Sequence, residues 1–279
     1  MKGEQLNRYL QVAREAALRA GEFLRQAMGQ LHPEEARRKG SFDFVTTVDT
    51  QAEALISEYL LSAFPEHQIL AEEGGLHAGD ETFRWIVDPL DGTKNYLFGI
   101  PFFCVSIALA YRGTVVAGVV YDPLRDECFW AGKNGGAFCN QKAIAVSPQS
   151  DLSRMMLATG FPHRNRRHLP AYLLAFEEIF LRCAGIRRCG SAALDLCYTA
   201  SGRFGGYFEL GLNIWDIAAG SLIVQEAGGI ITDFWNRSQF LQNGAVVAGN
   251  KTSHTFMQRI LGAHFRQPFE HLTHEVREK

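Results

Sequence analysis

Residues 85–96 read Trp85-Ile86-Val87-Asp88-Pro89-Leu90-Asp91-Gly92-Thr93-Lys94-Asn95-Tyr96, so an apolar run leads straight into two carboxylates three positions apart. Pro89 stiffens the turn, and Gly92 opens a backbone conformation that a side chain resists. Asp88 and Asp91 are therefore expected at one strand end, near each other. Two close anions repel unless a shared proton or a cation relieves them. Magnesium does this well, because it takes one or two carboxylates and fills its shell with phosphate and water. The competing reading is a plain Asp-Pro-x-Asp-Gly turn.

Three further acidic features weigh on that choice. Glu72 and Glu73 follow the apolar run Gln68–Ala71 and precede Gly74 and Gly75. Asp216 follows Ile214 and Trp215 and opens the helical pattern Ile217–Ala227. Asp49 follows the run Val45–Val48 in the same manner. Singly, the glutamates read as a solvated turn, and Asp216 and Asp49 as helix N-caps worth about 1 kcal/mol each. Together they put acids at strand ends and helix starts, where α/β proteins bind ligands. The chain has no G-x-S-x-G, H-E-x-x-H or G-x-x-x-x-G-K-[ST] motif, so the competing chemistries lack their signatures.

The elements that must position these acids follow from apolar spacing. Leu6, Leu10, Ala13, Ala17, Gly21, Leu24 and Met28 step by threes and fours, predicting one long amphipathic helix. A second helix, capped by Asp49 or Thr50, has Ala52, Leu55, Ile56, Tyr59, Leu60 and Ala63 on one face and stops at Pro65. Short strands are expected at 68–71, 85–87, 102–111, 114–121, 128–130 and 137–138. Arg112-Gly113 makes a two-residue hairpin, and the sheet is antiparallel with both helices on one face. Beyond Ser147-Pro148, strands at 155–159, 186–188, 207–209, 230–233 and 245–248 alternate with helices at 169–183, 191–201, 216–227 and 252–261. That is an α/β second half. Residues 1–262 are read as one catalytic unit with halves 1–147 and 148–262, followed by a loosely held polar tail, 263–279.

The bulk properties exclude other classes. The chain has 279 residues, is 47% hydrophobic and carries a formal net charge of −2, so it holds a large core but lacks the basic excess of a nucleic-acid binder. The basic run Arg164, Arg166, Arg167 and His168 reads as a solvated loop. None of the six cysteines forms a C-x-x-C pair, which removes spacing support for zinc or redox sites and suits a reducing compartment. Residues 1–10 lack an apolar signal core, and no apolar run reaches the roughly 20 residues of a membrane span. The expected location is cytoplasmic, with no membrane partner.

Glu72-Glu73, then Asp88-Pro89-Leu90-Asp91-Gly92-Thr93, then Trp215-Asp216-Ile217-Ala218-Ala219-Gly220 resemble the ordered signature of the inositol monophosphatase family, in particular its bacterial SuhB type. Gly190-Ser191-Ala192-Ala193 and Glu209-Leu210-Gly211 match its substrate-side segments, and the resemblance runs from about residue 5 to 262. It implies the layered αβαβα sandwich of the sugar phosphatases, an α+β fold. It also implies two or three Mg2+ ions on Glu72, Asp88, Asp91, Asp216 and the Leu90 carbonyl, with hydrolysis by a metal-activated water. Asp49, Glu72, Asp91 and Thr93 are the implied catalytic residues, with Glu73 and Thr93 as water-orienting groups and Glu72 as the glutamate that pairs with a threonine to position the water. Gly92 and Thr93 would meet phosphate, and Asp91, Gly190, Ala192, Glu209 and Asp216 the hydroxyls of a polyol. The family's lysine in the loop before Phe42 matches Arg38 by spacing and Lys39 by residue type.

The resemblance further implies a small-molecule phosphate monoester as partner, lithium sensitivity and a homodimer. Relatives act on inositol 1-phosphate, fructose 1,6-bisphosphate, NADP, histidinol phosphate or 3′-phosphoadenosine 5′-phosphate, and shared metal motifs do not separate these alcohols. A regulatory protein that keeps the fold but works through protein or RNA contacts is the alternative of another class.

Overall fold

The computed structural model describes residues 3–30, 37–40, 43–162 and 166–265, with the backbone alone for 37–40 and 43–45. Helix α1 (Gly3–Ala27) buries Leu10, Ala13, Ala17, Gly21 and Leu24, the stripe its spacing demands. A short hairpin, β1 (Arg37–Gly40) with β2 (Asp43–Val45), leads into α2 (Thr47–Ala63). Arg38 and Lys39 lie in β1; their side chains, like Arg164, are outside the described residues. The cap of α2 is Thr46, not Asp49 or Thr50. Its hydroxyl accepts from the Val48 N–H while Asp49 Oδ2 takes the Thr46 N–H, a reciprocal box that sets Asp49 in the third helical position.

Both helices pack on one face of an eight-stranded sheet. Its spatial order is β10 (Lys142–Ile144), β9 (Ala137–Cys139), β8 (Glu127–Gly132), β7 (Thr114–Asp122), β6 (Cys104–Tyr111), β5 (Asp80–Asp91), β3 (His67–Ala71) and β4 (Gly75–His77). The expected antiparallel pairing holds except between β3 and β5, which run parallel because β4 comes between them in the chain, running back antiparallel along the other side of β3 before the chain reverses again into β5. Arg112 and Gly113 both take positive φ, 49° and 75°, as a tight β6–β7 hairpin requires.

Strand alternation sorts the side chains of this sheet. Trp85, Val87 and Ile107 point toward α1 and α2, whereas Ile86, Ala108 and Val120 point the other way. There they meet α5 (Ala192–Ala200) and α6 (Ile214–Glu226). Gly118 in β7 allows the approach, since a Cβ there would stand 2.8 Å from the Ala219 carbonyl oxygen. A second sheet covers these helices from the far side, in the order β12 (Gly185–Arg187), β11 (Met156–Thr159), β13 (Gly206–Leu210), β15 (Ala245–Gly249) and β14 (Ile230–Thr232). Helices α4 (Leu169–Phe180) and α8 (Lys251–His264) close its outer face over Leu157, Phe208 and Val247. The result is the expected five-layer αβαβα sandwich.

Several boundaries differ from the spacing-based expectation. β5 extends to Asp91, so Asp88 and Asp91 belong to the strand instead of following it. α6 starts at Ile214, and Asp216 is its third residue, accepting the Asn213 N–H at 2.8 Å; Asn213 is the cap. Short helices α3 (Thr93–Leu97) and α7 (Phe240–Asn243) complete the described elements. Phe265 is buried beyond α8, and residues 266–279 lie outside the described part. All six cysteines are free thiols, and no described helix is long and apolar enough to cross a membrane.

Candidate active site

The pairing of β5 with β6 breaks register between Asp88 and Asp91, where Pro89 and Leu90 bulge the strand. The Leu90 N–H folds back to Asp88 Oδ1 at 2.9 Å. Gly92 then takes φ +99°, and a Cβ there would come within 3.0 Å of the Phe102 carbonyl oxygen and 3.2 Å of Phe103 Cβ. Only glycine accepts both the turn and the crowding. The chain enters α3 at Thr93, whose hydroxyl stands 3.1 Å from Asp49 Oδ1 and 3.0 Å from the Leu90 carbonyl oxygen. With one proton, it donates to one of them at a time.

Other elements bring their acids to the same place. The Glu72 N–H donates to the Val87 carbonyl at 3.2 Å, extending the parallel pairing by one residue and fixing Glu72 beside β5. The turn beyond is anchored by Glu53 of α2, a buried carboxylate that accepts the N–H groups of Glu73 and Gly74 at 2.8 and 2.7 Å. The first turn of α6 presents Asp216. A pocket of about 90 Å³ is lined by Glu72, Asp88, Leu90, Asp91, Gly92, Thr93, Gly190, Ala192, Glu209 and Asp216, together with Lys94, Arg188 and Leu212. Every metal or substrate contact expected from sequence is in that wall. Asp49 stands behind it, bonded to Thr93, and Glu73 is not part of it.

The electrostatics of the pocket are those of an anionic cluster short of positive charge. Burial pushes the Asp88 carboxyl well up, and Glu72, Asp91 and Asp216 raise it further. Asp91 is pushed up to about 7, by burial first and then by Asp216, although hydrogen bonds from Ser191 and Ala193 oppose the rise. Burial also raises Asp49 against the bonds from Thr46 and Thr93. A bound cation would favour the ionised carboxylates and so oppose the rise at Asp88 and Asp91. The pocket's donors toward it are all oxygen, the set that suits a hard divalent ion and not zinc or copper. Among the described residues no three acid, histidine or cysteine side chains already form a closed cage.

On the opposite wall, Asp91 Oδ2 accepts from Ser191 Oγ at 2.6 Å and from the Ala193 N–H at 2.8 Å, tying β5 to the start of α5. Asn95 bridges the carbonyls of Phe102 and Cys189 at 2.7 and 2.8 Å, which seats the loop carrying Gly190. Glu209, at the end of β13, is nearly buried and accepts from the Tyr207 hydroxyl at 2.6 Å. A Cβ on Gly160 would overlap its carboxylate. Sequence reasoning did not select Glu53, Asn95, Gly160, Ser191 or Tyr207 individually. Ser191 was within reach, since it lies inside the Gly190–Ala193 segment; the others have no local signal.

The profile of the inositol monophosphatase family matches residues 5–266. This chain belongs to the inositol monophosphatase family. It is 46% identical over 242 residues to the Nus factor SuhB of Vibrio cholerae serotype O1, covering 86% of this chain and 91% of the relative. Among solved structures, the extragenic suppressor protein SuhB of Bartonella henselae superposes with a TM-score of 0.87 at 41% identity, over 91% of this chain and 98% of that one. The inositol monophosphatase of Anabaena sp. PCC 7120 gives 0.82 at 39% identity, over 93% and 97%. Family membership makes the chain a phosphatase of that superfamily, a metal-dependent class acting on small phosphate substrates.

Proposed function

We propose that the protein is a Mg2+-dependent phosphomonoesterase that hydrolyses inositol 1-phosphate, or a similar polyol phosphate, to the free alcohol and phosphate. The observation that carries this reading is the convergence of Glu72, Asp88, Asp91 and Asp216, from β5, α6 and the turn after β3, on one small polar pocket. Glu72, Asp88, Asp91, Asp216 and the Leu90 carbonyl would hold the ions. When bound, Mg2+ supplies Lewis acidity, lowers the pKa of water and neutralises the leaving alkoxide.

The remaining work falls to the chain itself. Asp49 holds the Thr93 hydroxyl at the pocket edge, so its lone pairs face the pocket and orient the attacking water. Glu72, the glutamate in the pocket wall, would take part in that orientation. The N–H groups of Gly92 and Thr93, at the start of α3, offer donors to a phosphate oxygen. Gly190, Ala192 and Glu209 face the alcohol, and the buried Glu209 carboxylate rewards a ring hydroxyl in donor position. No covalent nucleophile is needed. Lithium inhibition and a homodimer belong to the same proposal.

The relatives' name, Nus factor, favours a second reading in which the fold also works through contacts with other macromolecules. The two are compatible, because the carboxylate pocket is intact. Phosphate release from inositol 1-phosphate, fructose 1,6-bisphosphate, NADP, histidinol phosphate and 3′-phosphoadenosine 5′-phosphate, with and without Mg2+, tests the enzyme reading. Mg2+-dependent release, highest for inositol 1-phosphate, is expected. Failure on all five leaves the binding-protein reading.

A further inference from the structure

Helix α2 buries two acids, Asp49 and Glu53, four residues apart and therefore on one face. Asp49 reaches the Thr93 hydroxyl at the pocket edge. One turn further along, Glu53 reaches the turn after β3. Its Oε2 accepts the Glu73 N–H at 2.8 Å, and its Oε1 accepts the Gly74 N–H at 2.7 Å. In an extended strand successive N–H groups point to opposite sides, so two that meet one carboxylate mark a chain already turned. The Glu72 N–H still belongs to the sheet and donates to the Val87 carbonyl at 3.2 Å. The bend therefore falls at Glu72 itself, with a ladder bond before it and the Glu53 clamp after it.

Gly74 makes room for this contact, since a Cβ there would stand 2.7 Å from Glu53 Oε1 and 3.1 Å from His77 Nε2. Satisfying the two N–H groups does not require a buried acid. Glu73 is partly exposed and Gly74 exposed, so water can serve both. A buried carboxylate is costly unless it is firmly bonded, and this one adds an anion near a turn that already carries Glu72. What it supplies is position. Side chains four residues apart on a helix lie about 6 Å from each other, and the helix does not stretch. Through Asp49 and Glu53, α2 therefore fixes the spacing between Thr93 and the turn that carries Glu72. A shift of about 1 Å in a reacting group can cost about 100-fold in rate.

We propose that Glu53 is a positioning residue for Glu72, and that α2 holds Thr93 and Glu72 at the separation that cation binding and water orientation require. The inference rests on the Mg2+-dependent phosphatase reading and extends it to a residue outside the pocket wall.

Three variants test it. Glu53→Gln keeps the size but replaces one acceptor oxygen with an amide group that only donates. Glu53→Asp keeps the charge but is one methylene short of the turn. Glu226→Gln is the control, because Glu226 makes the same kind of clamp outside the pocket wall, on the N–H groups of Asn134 and Gly136 at 2.8 and 3.0 Å. Mg2+ is titrated by calorimetry into each metal-free protein. Both Glu53 variants should bind it at least about tenfold more weakly than the wild type, the lower end of what losing a ligand's support costs, while Glu226→Gln binds as the wild type does. Wild-type affinity in Glu53→Gln would overturn the proposal. Wild-type affinity in Glu53→Asp alone would assign the effect to charge, and an equal loss in Glu226→Gln to general destabilisation; either result also overturns it. A wild type that binds no Mg2+ would instead defeat the metal reading, and hydrogen exchange would still decide the clamp. The Glu73 and Gly74 amides of metal-free protein should exchange at least about tenfold faster in Glu53→Gln than in the wild type, and equal rates would overturn the clamp.

Discussion

Gly160→Ala gives the sharpest mutational test of how the alcohol is recognised. Gly160 follows β11, and its missing Cβ is the space the Glu209 carboxylate occupies. The backbone of Glu209 cannot yield, because β13 pairs Glu209 with Val246 in the middle of the second sheet. The added methyl must therefore turn the carboxylate away from Gly160 and off the Tyr207 hydroxyl. Overpacking costs about 1–3 kcal/mol, and losing a charge-assisted hydrogen bond about 1.5–3 kcal/mol. Because the side chain relaxes, these two costs overlap, and we expect a net loss of stability of about 2–3 kcal/mol. At about 2 °C per kcal/mol for a chain of this size, the thermal midpoint should fall by roughly 4–6 °C. Loss of a hydroxyl partner should lower kcat/KM for inositol 1-phosphate by about 10- to 100-fold, while Mg2+ affinity stays as in the wild type. Phosphate-release kinetics, calorimetric Mg2+ titration and thermal unfolding read the three quantities separately. Tyr207→Phe is the control, since it removes the hydrogen bond without adding volume. Wild-type kcat/KM in Gly160→Ala would refute the assignment of Glu209 to the substrate.

Other predictions follow from the same geometry. Asp91→Asn should abolish turnover and leave the far-ultraviolet circular dichroism unchanged; retained phosphate release would remove Asp91 from the catalytic set. Thr93→Val should lower kcat by about 100-fold, whereas Thr93→Ser, which keeps the hydroxyl facing Asp49, should recover most of it; equal rates in the two variants would exclude the hydroxyl's role. His67 is stacked between Phe64 and Phe83, with ring centroids 4.9 and 4.6 Å away, and burial lowers its pKa, partly offset by Asp80. Its contribution is fully present when the ring is neutral in both states. It is lost as pH falls below about 6.5, where the unfolded chain takes up the proton and the folded chain resists it. Thermal midpoints between pH 7.5 and 5.5 should therefore fall less steeply in His67→Phe than in the wild type, and parallel slopes would contradict this.

The carboxylates at the end of β5 were legible because three local signals coincide there: an apolar strand, a proline and a glycine. Most helices and strands were legible from apolar periods that change from three-and-four to two, whereas their stacking into five layers came from the family resemblance alone. Asp49 and Asp216 were located correctly but given the wrong structural part. An acid near a helix start looks the same in sequence whether it is the cap or the third residue, and only the Thr46 and Asn213 contacts separate the two. Glu53 left no local trace, since an acid inside a helix is ordinary until the turn at Glu73 and Gly74 is folded against it. Gly160 is likewise unremarked along the chain, and its meaning lies in a carboxylate 49 positions away. The parallel β3–β5 pair is a product of topology, which no short spacing encodes.

The central claim is that Glu72, Asp88, Asp91 and Asp216 act together as a divalent-cation site. Isothermal titration calorimetry of Mg2+ into metal-free wild-type protein and into Asp88→Asn tests it directly. Saturable binding in the wild type, at least about tenfold weaker in the variant, is the predicted result, since one of the shared anionic ligands is lost. Equal Mg2+ binding in the two proteins, or none in the wild type, would contradict the account.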